Sequence, residues 1–343
     1  MKSRVLFICK ARNTSYGISY GLLNSCKFVG EALKEAFCGQ FEYKVVSVAD
    51  NNGIDKVVSE YKPTHVMIEA LWVVPEKFDV LLQLYPEIEW NVRIHSKAPF
   101  LANEGIAFDW MNRYEDIKSK YSNFSMSTND FDFSDDLSIV MGEYAHLPNI
   151  YVVDKKFTIN TYDNHPDVID IGCFGAIRPM KNQLEQAIAA IIFAETQALT
   201  LRFHMNSGRS EQKGDQAMNN IIALFEANPD HTLVLHGWMD HEHFTDLVRT
   251  MDLGMQVSFS ESFNIVTADF VKFDIPIIVS HDITWMSRLY KSSATNTESI
   301  VNKLKFAYKF RKFNLQYLNK LSLNNYNHLA ISSWASYLGL EDH

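Results

Sequence analysis

The chain has 343 residues, 47% of them hydrophobic and 21% charged, and a net charge of −9. Its length is about twice that of a typical domain, so two domains are expected, and its composition is that of an ordinary globular enzyme. The acidic balance argues against a whole-surface electrostatic grip on nucleic acid or anionic membranes, but it is compatible with a local basic face.

Short apolar runs alternate with helical patterns through the first half of the chain. The predicted strands are Arg4–Lys10, Tyr43–Val48, Thr64–Leu71, Trp90–His95, Phe124–Ser127 and Ile150–Val153. The predicted helices are Leu22–Phe37, Ile54–Tyr61 and Phe78–Tyr85. A polar, turn-rich stretch at Asp154–Asp167 is the best linker.

The same alternation restarts after this linker. The predicted strands are Val168–Phe174, Thr200–Met205, Thr232–His236, Leu253–Val257 and Ile275–Ser280. The predicted helices lie near Asn182–Thr196, Gln216–Asn228, His241–Met251 and Phe263–Phe273, and the aromatic, basic stretch Val301–Lys320 is also predicted to be helical.

Strands that alternate with helices indicate parallel sheets with right-handed crossovers. We therefore predict an α/β protein with two doubly wound domains, residues 1–156 and 157–319, and a C-terminal helix at about 320–343 that packs back on the first domain. Ligands bind at the carboxyl ends of strands in such sheets, so a cleft between the domains is the expected site.

No segment approaches the roughly 20 apolar residues that cross a bilayer, so we expect no membrane span. The N-terminus runs straight into a strand, and we expect no secretory signal. The cysteines show no CxxC or metal-ligand spacing, which argues against a disulfide framework or a zinc site and favours a reducing cytoplasm. They are Cys9, Cys26, Cys38 and Cys173.

The loop after the first strand contains Gly17 and Gly21, but their spacing is not the GxGxxG of dinucleotide-binding proteins. A nicotinamide-dependent dehydrogenase is therefore disfavoured. A glycine-containing loop that enters a helix can hold a phosphate through its backbone N–H groups. Tight turns alone would also explain both glycines, and the two interpretations stay open.

The segment Ile171–Lys181 reads IGCFGAIRPMK and places Arg178 and Lys181 just ahead of a predicted helix. Two cations are poorly placed at the positive end of a helix dipole unless an anion lies between them. A diphosphate suits the planar fork of arginine and the point charge of lysine. The alternative is a pair of solvated surface cations.

Two acids follow in Val257–Asp269, which reads VSFSESFNIVTAD. Glu261 precedes the predicted helix and Asp269 lies one to two turns inside it, so both can face the same cleft. Carboxylates accept hydrogen bonds and suit the vicinal hydroxyls of a sugar and a ribose. Otherwise, one acid satisfies the helix dipole and the other is exposed.

The segment from about Ile171 to Ser280 resembles the donor-binding half of retaining GT-B glycosyltransferases, and the pattern falls on Gly175, Arg178, Lys181, Gly237, Ser260, Glu261, Asp269 and Pro276. The chain departs from this family in having Asp269 where glutamate is usual, and Asn264 and Thr267 where smaller residues are common. The resemblance implies two doubly wound Rossmann-like domains facing across a cleft.

The resemblance also implies site residues. Arg178 and Lys181 would stabilise the diphosphate, Glu261 would hold the donor sugar, and His95, at the end of the fourth strand, would face that sugar. The implied donor-binding residues are Gly17, Gly175, Gly237, Trp238, Ser260, Ser262, Phe263, Asn264 and Asp269. Asp269 would hold the ribose, and the Gly237–Trp238 turn the nucleobase. On residues alone, His95 is better explained as a histidine whose hydrogen bonds are satisfied at a strand end.

The implied activity is transfer of a sugar from a nucleotide-diphosphate sugar to a hydroxyl, with no cofactor and no metal. Segments Glu69–Pro75 and His95–Trp110 are also similar to glycosyltransferase-like proteins of tailed bacteriophages. This implies a hydroxymethylated pyrimidine in DNA as acceptor, flipped out of the helix, in the host cytoplasm. The alternatives are a cell-surface glycan or small acceptor, a nucleotide-sugar epimerase of the same fold, and a sugar-nucleotide sensor without activity.

Basic residues interleave with aromatics in Val301–Lys320, and Lys303, Lys305 and Arg311 are the predicted acceptor contacts. At helical spacing, however, such aromatics more often form a packed face and the lysines a solvated one. Asp130–Asp132 resembles the metal-binding DxD of another glycosyltransferase fold, and we interpret it as a loop.

Overall fold

The structure is a computed structural model that describes residues 2–11, 20–154 and 167–341. The chain forms two compact units. The first unit comprises the residues up to Val152 and those from Tyr326 onward, and the second unit comprises Val153–Asn325.

The first unit is a parallel sheet covered by helices. Its described strands are β1 (Ser3–Lys10), β2 (Phe41–Val48), β3 (His65–Glu69), β4 (Glu89–Ile94), β5 (Phe124–Thr128) and β6 (Ala145–His146). Its helices are α1 (Tyr20–Ala36), α2 (Gly53–Tyr61), α3 (Pro75–Leu84), α4 (Ala98–Leu101), α5 (Ala107–Lys120) and α6 (Phe131–Val140). The strand order is β2-β1-β3-β4-β5-β6, and the pairings are parallel. The central strands β1 and β3 are largely apolar runs, as is typical of parallel strands that are covered on both faces.

The second unit repeats this design. Its described strands are β7 (Val168–Gly172), β8 (Thr200–Asn206), β9 (Thr232–His236), β10 (Leu253–Gln256), β11 (Ile277–Ser280) and β12 (Lys291–Ser292). Its helices are α7 (Gln183–Gln197), α8 (Gly214–Glu226), α9 (His241–Arg249), α10 (Ile265–Lys272), α11 (Thr297–Phe310) and the start of α12 (Tyr317–Leu338). The parallel order is β12-β11-β10-β7-β8-β9, so the strand order reverses between β7 and β10. Loops after these two strands lie where doubly wound sheets bind ligands.

The last part of α12, from Tyr326, belongs to the first unit. Trp334 is buried there, its indole N–H donates to the Pro148 carbonyl over 2.8 Å, and its ring meets Phe7 edge-on. Burial of this large side chain secures the C-terminal helix to the first sheet.

Two sequence predictions in the first unit are wrong. Ile150–Val153 is not a strand, because the backbone N–H and carbonyl of Tyr151 bond the side-chain amide of Asn327 over 3.1 and 2.8 Å instead of a neighbouring strand. Asp130–Asp132 is not a loop, because the carboxylate of Asp130 accepts the Phe133 N–H over 3.0 Å and caps α6.

Most of the stretch Val301–Lys320 is helical, as predicted, but the helix is interrupted. Helix α11 ends at Phe310, a 3₁₀ turn covers Arg311–Phe313, and Asn314 adopts a φ of +58° before α12 begins. A left-handed residue ends a helix by turning the chain out of the helical path, and asparagine tolerates that conformation.

Candidate functional site

Lys181 and Glu261 form an ion pair at the carboxyl ends of β7 and β10. Lys181 ends a 3₁₀ turn that precedes α7, and Glu261 lies in the loop before α10. Their side chains are only 13% and 9% exposed. The ammonium has three donors, so it can bond Glu261 and still donate to a ligand. The pair therefore occupies the switch point of the second sheet.

Backbone and side-chain hydrogen bonds tie the two loops together. The Phe259 N–H donates to the Met180 carbonyl over 2.9 Å. The Asn182 amide donates to the Val257 carbonyl over 3.2 Å, and the Val257 N–H donates to Gln186 Oε1 over 2.8 Å. These bonds hold Glu261 beside Lys181 although 80 residues separate them in sequence.

Gly175 shapes the loop after β7. Its φ of +123° is a conformation that side chains disfavour, and its N–H donates to Asn206 Oδ1 over 2.8 Å. A Cβ at this position would lie 3.8 Å from Cε of Lys181. That distance is an ordinary contact, so it is the positive φ that favours glycine here.

The charges of this cluster act on one another. Burial lowers the pKa of Lys181, and the positive charge of Arg178 lowers it further, against the opposing effect of Glu261. Burial alone would raise the pKa of Glu261, but the charges of Lys181 and Arg178 hold that pKa below its ordinary value. Glu261 is therefore ionised at neutral pH.

Arg178 lies on the same loop as Lys181 and contacts another acid. Its Nη1 bonds Glu211 Oε2 at 3.3 Å, and its backbone N–H donates to Gln183 Oε1 over 3.3 Å. Sequence reasoning missed Glu211, because nothing in the SGRSEQK loop that contains it distinguishes one polar residue from another.

The loop after β10 and helix α10 contain most of the other predicted donor residues. Asn264 caps α10 with a φ of +63°, accepts the Thr267 N–H over 2.9 Å and donates to Gln256 Oε1 over 2.8 Å. Phe263 is buried, and its carbonyl accepts from the Trp285 indole over 2.8 Å. Ser260 is buried in the same loop and Ser262 is half-buried.

Asp269 is 1% exposed, within α10, and its Oδ1 lies 2.7 Å from Nε2 of His241. His241 is the first residue of α9 and was not predicted. The two acids that the sequence pairs thus have different partners, Lys181 for Glu261 and His241 for Asp269.

Gly237 and Trp238 follow β9 at the edge of the second sheet. Trp238 is 36% exposed, and the guanidinium carbon of Arg209 lies 5.2 Å from its ring centre. A Cβ at Gly237 would meet open space.

His95 lies in the first unit, directly after β4, and both of its ring nitrogens are hydrogen-bonded. Nε2 is 2.5 Å from Glu69 Oε2, and Nδ1 is 3.3 Å from the Asn129 amide nitrogen. Because that amide donates, Nδ1 accepts and Nε2 carries the proton. Burial and the charge of Arg93 lower the pKa of His95, so the ring is neutral at neutral pH. Gly17 lies outside the described residues.

The predicted acceptor residues lie on α11 and the following turn. Lys303 donates to the Leu289 carbonyl over 2.9 Å, and Lys305 is half-buried. Arg311 packs over the Tyr308 ring, with its Nη1 3.8 Å from Asp252 Oδ1.

The described part of the chain contains no group of three or more His, Cys, Asp or Glu side chains placed to hold a metal ion. None of the helices among the described residues combines the length and apolar character that a bilayer crossing needs.

Known structures share this architecture over nearly the whole chain. The N-terminal domain of trehalose-6-phosphate phosphatase from Candida albicans is 10% identical, with a TM-score of 0.68, and the match covers 98% of this chain and 97% of that one. Sucrose-phosphate synthase from Thermosynechococcus elongatus is 12% identical, with a TM-score of 0.68 and 98% of each chain covered. A UDP-forming α,α-trehalose-phosphate synthase from Burkholderia xenovorans is 10% identical, with a TM-score of 0.65 and 98% of each chain covered.

The chain has the GT-B fold. The predicted α/β class with two doubly wound Rossmann-like domains is confirmed. No protein-family model matches the chain, and no curated protein matches it in sequence. At identities of 9 to 13%, the likeness to solved structures concerns the fold.

Proposed function

We propose that this protein is a retaining glycosyltransferase that moves a sugar from a nucleotide-diphosphate sugar to an acceptor hydroxyl. The observation that carries the proposal is the Lys181–Glu261 pair, with Arg178 on the same loop, at the switch point of the second sheet. The fold supports it, because solved structures that share it include a sucrose-phosphate synthase and UDP-forming trehalose-phosphate synthases.

In this proposal, Lys181 and Arg178 stabilise the negative charge that develops on the diphosphate as the anomeric C–O bond breaks. Glu261 accepts hydrogen bonds from the donor sugar hydroxyls. Asp269 holds the ribose, directly or through His241. The acceptor attacks from the side of the leaving group, and the departing phosphate takes the acceptor proton, so no protein general base is needed. Retention of configuration follows from this geometry.

The test uses the full chain, a panel of nucleotide-diphosphate sugars and a panel of hydroxyl acceptors. Release of nucleoside diphosphate measures turnover, NMR of the product gives its anomeric configuration, and excess EDTA tests the proposal that no metal is required. We expect EDTA-resistant transfer with retention. Failure of every donor to release nucleoside diphosphate, or an inverted product, would overturn the proposal. Free epimerised sugar nucleotide would instead assign the epimerase activity.

For the acceptor, we propose a hydroxymethylated pyrimidine in DNA. The similarity of Glu69–Pro75 and His95–Trp110 to phage glycosyltransferase-like proteins supports this class. The basic residues of α11, Lys303 and Lys305, and neighbouring Arg311 are the proposed phosphate contacts.

Oligonucleotides with and without hydroxymethylated pyrimidines test the acceptor. We expect sugar transfer to the modified strand alone and salt-dependent binding that weakens in the Lys303→Gln, Lys305→Gln double variant. That variant leaves the Arg311 contact with Asp252 in place. Transfer to a glycan or small acceptor, without transfer to DNA, would exclude the DNA assignment and keep the enzyme class.

A further inference from the structure

Strand β9 is an unprotected edge of the second sheet. Proteins protect the open edges of their sheets by keeping the edge strand very short or by placing charges on it, because unpaired backbone groups invite another strand. The edges of the two described sheets are β2 and β6 in the first unit, and β12 and β9 in the second. Strands β6 and β12 are two residues long, and β2 carries Glu42 and Lys44. Strand β9 has neither protection, because its five residues read TLVLH.

The hydrogen-bond pattern of β9 shows which of its backbone groups face away from the sheet. The Ser207 N–H donates to the His236 carbonyl over 2.7 Å, so β8 bonds the even-numbered residues of β9. The backbone groups of successive residues in a strand point to opposite sides. The N–H and carbonyl groups of Leu233 and Leu235 therefore point outward, and among the described residues they have no hydrogen-bond partner.

The side chains of this edge are apolar and accessible. Leu235 is 43% exposed, and Leu233 and Val234 are half-buried. Burial lowers the pKa of His236, and His204 lowers that pKa further, so the His236 ring is neutral at neutral pH. The strand thus presents no charge that would repel another strand.

The sequence Leu233–Val234–Leu235 is symmetric about its central residue. When two copies pair antiparallel about a two-fold axis at Val234, Leu233 of each copy lies opposite Leu235 of the other. The outward N–H and carbonyl groups of the opposed leucines then meet, and each leucine pair exchanges both of its N–H···O bonds. The opposed leucine side chains lie on one face of the combined sheet, and the two Val234 side chains meet on the other. This register is therefore self-complementary, as a two-fold interface must be.

We propose that this protein forms a homodimer in which the β9 strands of two copies pair antiparallel about Val234. A second copy is favoured over an unrelated strand, because one register bonds the outward backbone groups of both leucines and also places apolar side chains against apolar side chains. The proposal goes beyond glycosyl transfer and does not depend on it.

Sedimentation equilibrium of the full chain tests the oligomeric state. We expect the wild type to shift from monomer to dimer as its concentration rises through the micromolar range. Leu235→Pro removes one outward N–H and keeps the bonds to β8, because proline is compatible with an edge strand whose N–H faces solvent. We expect this variant to stay monomeric and to keep the circular dichroism spectrum of the wild type.

A second variant and a matched control accompany the proline. Leu235→Lys places an ammonium against Leu233 of the other copy and should raise the dissociation constant of the dimer about tenfold or more. Leu321→Lys is the control, because Leu321 is also a leucine with 43% exposure and lies on helix α12 rather than in the sheet. It should leave the dissociation constant unchanged.

Cysteine crosslinking tests the register, in a Cys38→Ser background that lacks the exposed native thiol. Val234→Cys should give a covalent dimer on mild oxidation, because opposed residues of a pair without hydrogen bonds have Cα atoms about 4.5 Å apart, which a disulfide can span. Thr232→Cys should give none, because Thr232 lies opposite His236 of the other copy and the two introduced thiols are out of reach.

Each outcome decides the proposal. A wild type that stays monomeric at every concentration would overturn it, and the edge would then be open to a strand of another protein. Dimers that persist unchanged in both Leu235 variants would place the interface elsewhere and would also overturn it. If Leu235→Pro loses the circular dichroism spectrum of the folded protein, Leu235→Lys and the crosslinks decide. Failure of Val234→Cys to crosslink, or equal crosslinking of Thr232→Cys, would contradict the pairing about Val234.

Discussion

Each unit has an acid paired with a cation at the carboxyl ends of its central strands, but the two clusters differ in their burial and in their neighbours. In the first unit, Arg93 and Glu69 are both 0% exposed. Arg93 donates to Glu69, to the Leu147 carbonyl and to Asn149 over 3.1, 2.8 and 2.6 Å, and it packs over Trp334. These partners of the Arg93 guanidinium all belong to the first unit.

In the second unit, Lys181, Glu261 and Arg178 are each partly exposed, and Arg178 shares Glu211 with Arg209. A cluster whose charges are bonded only to buried groups of its own unit stabilises the fold, whereas a cluster with partly exposed cations can also bind an anion. The same pairing of residue types therefore serves structure in one unit and, in our proposal, ligand binding in the other.

The largest effect is expected for a substitution that breaks the Arg93–Glu69 cluster of the first unit. Arg93→Ala leaves Glu69 buried without its cation, and loss of one partner of a buried pair costs about 3–5 kcal/mol of unfolding free energy. Denaturant unfolding followed by circular dichroism measures it. A loss below about 1 kcal/mol would show that Glu69 is satisfied without Arg93 and that the cluster is not closed as described.

The next largest effect is expected for a substitution in the Lys181–Glu261–Arg178 cluster of the second unit. Lys181→Ala should lower the rate of sugar transfer about 10²- to 10³-fold, the cost of removing one donor aimed at developing charge. Because Lys181 is partly exposed, the unfolding free energy should change less than in Arg93→Ala. Arg249→Ala, at an exposed ion pair, should retain full transfer. Undiminished transfer in Lys181→Ala would remove this residue from the proposed site.

A pH series sharpens the comparison. Burial would raise the pKa of Glu69, but Arg93 and His95 hold it below the ordinary 4.5. A lowered folded-state pKa means that ionised Glu69 contributes stability above pH 4.5, and that this stability is lost as the pH falls through the folded-state value. The unfolding free energy of the wild type should therefore fall more steeply below pH 4.5 than that of Glu69→Gln. If the unfolding free energies of the wild type and of Glu69→Gln fell equally steeply below pH 4.5, the result would contradict the lowered pKa of Glu69.

The smallest effect concerns the loop that supports Glu261. Asn264→Ala removes the side chain that caps α10 and leaves alanine at a φ of +63°, a conformation that is unfavourable for it. The free energy of unfolding should fall by about 1–2 kcal/mol. Asn264→Gly keeps the backbone conformation without strain and should cost less. Thermal unfolding of both variants checks the order, and a larger loss for glycine would show that the backbone at this position is not under strain.

Much of the fold could be predicted from the sequence. The five strands predicted for the second unit agree with β7–β11 within two residues at every end, and Thr232–His236 matches at both, whereas β12 was not predicted. Hydrophobic periodicity is a local property, so it predicts elements well. It predicted a strand at Ile150–Val153 wrongly, because the Asn327 amide bonds the Tyr151 backbone in place of a neighbouring strand. It did not reveal the break at the left-handed Asn314 within the helical stretch Val301–Lys320.

The candidate site was predicted less completely. Sequence patterns single out Arg178, Lys181 and Glu261, because two cations ahead of a helix indicate an anion and the resemblance implies all three. The structure places Lys181 beside Glu261. Glu211, His241 and Arg209 were not singled out, because their contacts join residues that are remote in sequence. Arg178 and Glu211, for example, are 33 positions apart.

By itself, the sequence determined the alternation of strands and helices, the parallel sheets that follow from it, and the chemical types of side chain at the strand ends. Only the tertiary structure decided which of those side chains meet, which acid neutralises which cation, and which cluster is closed. The physical reason is that strand and helix formation depend on residues a few positions apart, whereas charge pairing at a sheet edge depends on strand order, which brings distant loops together.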